Sequence, residues 1–199
     1  MELYLVRHGE STWNRKDKIQ GQSNPHLSEK GIKQAELLKK RLMDIPFDFV
    51  YSSPLKRAYK TAEIVVDGKY PIVKDKRLSE IHLGIWERLP AKRLYKESKE
   101  FRDWFVKTTE VTPEGGESLF EFRDRVSSFF DEIIQKNSGK NRGFIFSHSG
   151  VISIWLASLL AMDINKVWSI PVDNGSLTII RIKNPQFLLI AFNDTCHLL

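Results

Sequence analysis

The sequence predicts an α/β fold, a doubly wound and mostly parallel sheet with helices on both faces and an antiparallel edge strand. Three observations carry this. Short apolar runs at 3–6, 47–51 and 144–146 read as buried strands. Between them lie segments with apolar residues at helical spacing, so strands and helices alternate, which implies parallel strands covered on both faces. The last two apolar runs, 176–182 and 187–192, are joined at Asn184-Pro185 and read as a hairpin, hence the antiparallel edge.

Each element can be justified in order. The strand at 3–6 breaks at once into Arg7-His8-Gly9, followed by a polar loop over 15–27. Ser28 suits a helix N-cap with Glu29 in the first turn, and Ile32, Ala35, Leu38 and Leu42 place a helix at about 29–44. After the strand at 47–51, Pro54 stands near the first position of a helix expected to reach Val66, and Ile72-Val73 forms a short strand. Residues 78–87 suit a loop. Residues 92–107 suit a helix with Leu94, Phe101, Trp104 and Phe105 partly on one side, and Pro113-Glu114-Gly115-Gly116 marks the end of this irregular stretch. Ser118 caps a helix bearing Leu119, Phe122, Val126, Phe129, Phe130 and Ile133. The strand at 144–146 breaks into Ser147-His148-Ser149-Gly150, and an apolar helix follows over 151–161. At 199 residues the expectation is one domain, 1–199, with an insertion lying over the sheet at about 82–114.

Composition narrows the function classes. No apolar run approaches the ~20 residues that span a bilayer, there is no signal-peptide pattern, and the single Cys196 forbids an internal disulfide. These features predict a cytoplasmic protein with no membrane partner. The net charge of +6 is scattered among Glu and Asp on exposed helix faces, so no nucleic-acid partner is expected.

The chemistry sits at strand ends. Ligands in parallel α/β sheets bind beyond the carboxyl ends of the strands. His8 and His148 each follow an apolar strand directly, Arg7 precedes His8, Arg57 lies in the first turn after the second strand, and Glu80 follows the third. Two guanidiniums and an imidazolium around one point suit a tetrahedral dianion. A histidine among them can be a nucleophile, and a carboxyl group can protonate a leaving alkoxide and then deprotonate water. Zinc fits poorly: no H-x-x-x-H pair exists, Cys196 is remote, and the arginines would repel a cation, so neither metal nor cofactor is expected.

Leu5-Val6-Arg7-His8-Gly9-Glu10 with Asn14, Ser52-Ser53-Pro54-Leu55-Lys56-Arg57-Ala58 with Thr61-Ala62, Glu80-Ile81, Gly115-Gly116-Glu117-Ser118, Ser147-His148 and Asp173-Asn174-Gly175-Ser176 occur in one order. In that order they resemble the histidine phosphatase superfamily, which includes the cofactor-dependent phosphoglycerate mutases. The resemblance covers nearly the whole chain. It implies a phosphoglycerate mutase-like fold and a metal-independent phosphomonoester hydrolase acting through phosphohistidine. His8 would attack phosphorus, while Arg7, Arg57 and His148 hold the phosphoryl oxygens. Asn14 would assist at the edge with Ser11, and Glu80 would be general acid and then base. The partner would be a small phosphorylated substrate.

Two other readings stay open, a phosphoglycerate mutase and a non-catalytic phosphate-binding module. The chain is shorter than the mutases usually are and lacks their long insertion with paired arginines, which favours the phosphatase. Where the family often has Trp-Glu-Gly this chain has Trp86-Glu87-Arg88, and Glu114 replaces a Pro before the Gly-Gly pair. Ser11, Gln20, Gly21, Arg88 and Lys92 are therefore the candidates for specificity, with Arg88 and Lys92 favouring a second acidic group. The oligomeric state stays open, a homodimer included.

Overall fold

The computed structural model describes residues 1–183 and 186–199. In chain order the elements are β1 (Glu2–Arg7), α1 (Glu29–Leu42), β2 (Phe49–Ser52), α2 (Lys56–Val66), β3 (Ile72–Lys74), α3 (Ala91–Glu97), α4 (Lys99–Trp104), α5 (Leu119–Lys136), β4 (Arg142–Ser147), α6 (Ser149–Leu159), β5 (Leu177–Lys183) and β6 (Gln186–Asp194). The six strands form one sheet in the order β3-β2-β4-β1-β5-β6. β1 to β4 run parallel, β5 is antiparallel to β1, and β6 is antiparallel to β5.

Alternation along the strands explains the layers. Tyr4, Val6, Phe144 and Phe146 point to one face, where Ala35, Leu38 and Leu42 of α1 and Ala62, Val65 and Val66 of α2 cover them. Leu3, Leu5 and Ile145 point to the other and meet Phe122, Val126 and Phe129 of α5 and Val151, Ile152 and Trp155 of α6. Each large side chain removed from water in these layers contributes about 1.5–3 kcal/mol.

Register places the site. Arg7 pairs with Ser147 and Ser52 with Phe146, so the three central parallel strands end level. Residues just beyond those ends become neighbours although up to 140 positions separate Arg7 from Ser147. β5 enters from the same edge, because Leu177 pairs with Val6.

Several boundaries differ from expectation. α1 stops at Leu42 and β2 starts at Phe49. Pro54 lies outside α2, which begins at Lys56: Leu55 is extended, and the Lys56 amide donates to Asn24 Oδ1 at 2.6 Å. α6 starts at Ser149, directly after His148 in extended conformation. The helix expected over 92–107 is two helices meeting at Ser98, whose hydroxyl accepts from the Phe101 amide at 3.1 Å and caps α4. The break turns Phe101 and Trp104 onto Trp86, and Trp104 packs on Trp168 with centroids 4.5 Å apart. The expected hairpin turn at Asn184-Pro185 lies outside the described residues. Among the described residues no helix is long and apolar enough to cross a membrane.

Candidate active site

Backbone first sets the positions. The His8 amide donates to Ser147 O at 3.0 Å and the Ser53 amide to Phe146 O at 2.9 Å, extending the ladder one step past the strand ends. His8 and His148 thereby meet with ring centroids 5.2 Å apart. Asn174, in the loop leading into β5, donates to His8 O at 3.2 Å.

His8 is buried, and its Nδ1 lies 2.7 Å from Gly9 O. A carbonyl only accepts, so we assign the ring proton to Nδ1 and the lone pair to Nε2. Arg57 Nε donates to that Nε2 at 3.1 Å. Burial first, then the charges of Arg57 and Arg7, hold the His8 pKa well below the ordinary imidazole range. The ring is therefore a neutral base with its lone pair facing the site.

Arg57 is 1% exposed, and burial lowers its pKa to about 10, leaving the guanidinium charged at neutral pH. Its Nη1 and Nη2 donate to Ser23 O and Gly21 O, each at 2.8 Å. Arg7 donates Nη1 to Val172 O, and its Nε is buried with no partner among the described residues. His148 is fully buried; its Nε2 lies 2.8 Å from Ser53 Oγ and its Nδ1 likewise has no partner. Burial foremost, helped by Arg57, His8 and Arg7, holds the His148 pKa well below its ordinary value too.

Glu80 completes the cluster. Its carboxylate accepts from the Ile81 amide at 3.0 Å and from the Gly150 amide in the first turn of α6 at 3.2 Å. The lack of a side chain at Gly150 lets the carboxylate sit there, since a Cβ would overlap Glu80 Oε1 and displace it. The result is the buried Arg57 guanidinium, the partly buried Arg7 with its Nε enclosed, two buried neutral imidazoles and one carboxylate gathered beyond the strand ends. Buried donors without partners are satisfied by an acceptor, and a tetrahedral dianion offers several. A lone pair on Nε2 beside them can form a bond to phosphorus.

The remaining candidates stand around this cluster, and Asn14 is linked to it through Asn174, whose Nδ2 donates to both His8 O and Asn14 Oδ1. Asn14 Oδ1 accepts from the Ser11 amide at 3.0 Å, which leaves its Nδ2 as the group able to face an anion. Ser11 is fully buried, with its hydroxyl donating to Gln20 Oε1 at 2.7 Å and accepting from the Asn14 amide. Gly21 presents its carbonyl to Arg57. Arg88 and Lys92 are exposed, and the 88–91 segment is tied by backbone hydrogen bonds to residues 17 and 19 of the polar loop. Among the described residues no group of three or more His, Cys, Asp or Glu gathers as a metal site needs.

Sequence reasoning missed several supporting residues. Glu87 accepts from the Gln22 and Ser23 amides at 2.8 Å each and from Ser23 Oγ at 2.6 Å, fixing the loop whose carbonyls hold Arg57. Ser53, just before Pro54, accepts from the Leu55 amide and also reaches His148 with its hydroxyl. These roles depend on contacts across 64 and 95 positions, so no local pattern announces them.

Known proteins resemble this chain over nearly its whole length. The model of the histidine phosphatase superfamily, branch 1, matches residues 3–195. Phosphoserine phosphatase 1 of Hydrogenobacter thermophilus is 36% identical over 200 residues, covering 100% of this chain and 94% of its own. A probable phosphoglycerate mutase of Yersinia pestis is 32% identical over 206 residues, covering 100% and 95%. The crystal structure of the alpha-ribazole phosphatase from Shigella flexneri superposes with a TM-score of 0.89 at 30% identity, over 98% of this chain and 97% of that one.

Proposed function

The chain belongs to the histidine phosphatase superfamily, and from that premise we propose that it is a metal-independent phosphomonoester hydrolase working through phosphohistidine on His8. The observation that carries the reading is the neutral His8 ring, its Nε2 lone pair 3.1 Å from Arg57 Nε and flanked by buried donors of Arg7 and His148.

In the proposed first step His8 Nε2 attacks phosphorus, the bond from phosphorus to the ester oxygen breaks, and protonated Glu80 gives its proton to the departing alkoxide. Arg57, Arg7, His148 and the Asn14 amide hold the phosphoryl oxygens, whose charge must be neutralised in a loose transition state. In the second step the Glu80 carboxylate takes a proton from water, the water oxygen bonds to phosphorus, and the P–N bond breaks. This frees neutral His8, inorganic phosphate and protonated Glu80. We read residues 1–199 as one domain, with the segment at 82–114 shaping the mouth above this centre.

Relatives named for phosphoserine and alpha-ribazole phosphatase support small phosphomonoesters as the substrate class. The relative named as a probable phosphoglycerate mutase supports the second reading, in which the phosphoryl group returns to another hydroxyl of the substrate. The test is an assay in EDTA against a panel of phosphate esters including phosphoserine, with 3-phosphoglycerate isomerisation followed in parallel. Release of phosphate with acid-labile phosphate trapped on wild type and absent from His8→Ala supports the hydrolase. Full activity in His8→Ala overturns the mechanism; isomerisation without phosphate release favours the mutase. Phosphate binding with no turnover of any ester leaves only a binding module.

A further inference from the structure

The Gly115-Gly116-Glu117-Ser118 turn is absorbed by none of the chemistry above. Its geometry ties it to the acid/base carboxylate. Arg125, on the buried side of α5, donates Nη1 to Arg77 O and Ser79 O, each at 2.8 Å, and Nη2 to Glu80 O at 2.9 Å. One guanidinium thus grips three carbonyls of the segment that carries Glu80. The same guanidinium is paired with Glu117, Nη2 to Oε1 at 2.6 Å and Nε to Oε2 at 2.9 Å. Glu117 Oε1 also accepts the His82 amide at 2.7 Å. The Glu80 loop is therefore held on its carbonyl side by Arg125 and on its amide side by Glu117.

The turn itself is clasped to that loop. The Glu117 amide donates to His82 O and the Ile85 amide to Glu114 O, both at 3.0 Å. The two backbones run so close that a Cβ on Gly84 would overlap Glu114 O, and one on Gly116 would lie 2.6 Å from His82 O. Ser118 and Glu121 form a capping box that starts α5 directly after Glu117, so the turn and Arg125 belong to one rigid unit. The pair is mostly shielded, with side-chain exposures of 21% and 16% for Arg125 and Glu117. Among the described residues neither side chain hydrogen-bonds to the phosphate cradle of Arg7, His8, Arg57 and His148, although the Arg125 charge is felt at His148.

We propose that Glu117 and Arg125 are positioning residues that fix the reach of the Glu80 carboxyl to the leaving oxygen. The proposal rests on Glu80 as general acid. Such an acid matters most for a poor leaving group, because an alkoxide needs the proton and a nitrophenolate does not. A group that merely stabilised the fold or bound phosphate would affect both esters alike.

The test is rapid-quench formation of acid-labile phosphoprotein under single-turnover conditions, with phosphoserine and p-nitrophenyl phosphate, in wild type, Glu80→Gln, Glu117→Gln and Arg125→Lys. Circular dichroism confirms folding, and having two variants guards against the loss of either one. Expected is a fall of about tenfold to a hundredfold for phosphoserine in both positioning variants, with p-nitrophenyl phosphate changed less than about threefold. Glu80→Gln should show the same selectivity more strongly, and adding Glu117→Gln to it should cost nothing further. Equal losses on the two esters, or none, in Glu117→Gln and Arg125→Lys while Glu80→Gln remains selective would overturn the positioning role alone. Absence of selectivity in Glu80→Gln would remove the acid assignment and the proposal with it.

Discussion

Arg57 Nε points its hydrogen at His8 Nε2 across 3.1 Å, so the guanidinium occupies the lone pair that the proposed chemistry uses. When that lone pair bonds to phosphorus the Arg57 hydrogen must turn to a phosphoryl oxygen. One residue thus orients the ring before reaction and neutralises charge during it. One hydrogen on each of its Nη atoms goes to Ser23 O and Gly21 O, which fix its plane. Arg57→Lys keeps the charge and loses the fork. We expect kcat to fall about 10²–10³-fold, the scale of losing one preorganised donor. A fall below threefold in steady-state kinetics would contradict this.

The two buried imidazoles predict how stability responds to pH. Both are held neutral, with folded pKa values below the ordinary 6.5. Below pH 6.5 the unfolded chain takes up protons that the folded one refuses. Stability is therefore complete above 6.5 and falls as pH drops from 6.5 through the folded pKa values. Thermal melts should show Tm constant from pH 7 to 8 and falling from 6.5 to 5, with a shallower fall in His148→Gln. Inorganic phosphate should flatten the fall in wild type, since a bound dianion favours a protonated His148. A Tm rising towards pH 5 would contradict the burial argument.

Ser53 sets the tautomer of His148. Its hydroxyl accepts from the Leu55 amide at 3.3 Å, and His148 Nε2 at 2.8 Å is the acceptor in reach of its own proton, so we assign that proton to Nε2. That leaves the ring proton on Nδ1, the nitrogen without a partner. Ser53→Ala strands a buried nitrogen, at about 1–3 kcal/mol. We expect a lower Tm, and about a tenfold weaker inhibition by inorganic phosphate. Unchanged phosphate inhibition would separate Ser53 from the site.

Arg88 offers a test away from the chemistry. Its φ of 73° lies in the left-handed region, and it stands where the family often has glycine. Its side chain is exposed, so the backbone strain is not offset by burial. Arg88→Gly should stabilise the fold by about 0.5–1 kcal/mol, the left-handed relief less the extra freedom of an unfolded glycine. A urea melt checks this. The same variant tests specificity: kcat/KM for a phosphoglycerate relative to an aryl phosphate should fall if Arg88 meets a second acidic group.

Local pattern was enough to read α1, α5 and the strands β1 and β4, because apolar period and caps are written within a few residues of one another. It was not enough for α3 and α4. Ser98 breaks that helix so that Trp104 can reach Trp168, a partner 64 positions away that no local spacing reveals.

The same division holds at the site. His8, Arg7, Arg57, Glu80 and His148 are legible as candidates from the chain alone, since each directly follows or closely trails a predicted strand and carries charge or a lone pair. A parallel sheet brings such ends to one edge whatever the details of packing. Only the tertiary structure decided which nitrogen of His8 carries the lone pair, that Ser11 faces Gln20, and that Glu80 is gripped from α5. Those are matters of hydrogen-bond direction between segments far apart in sequence. They are settled by distances of about 3 Å that only the folded chain creates.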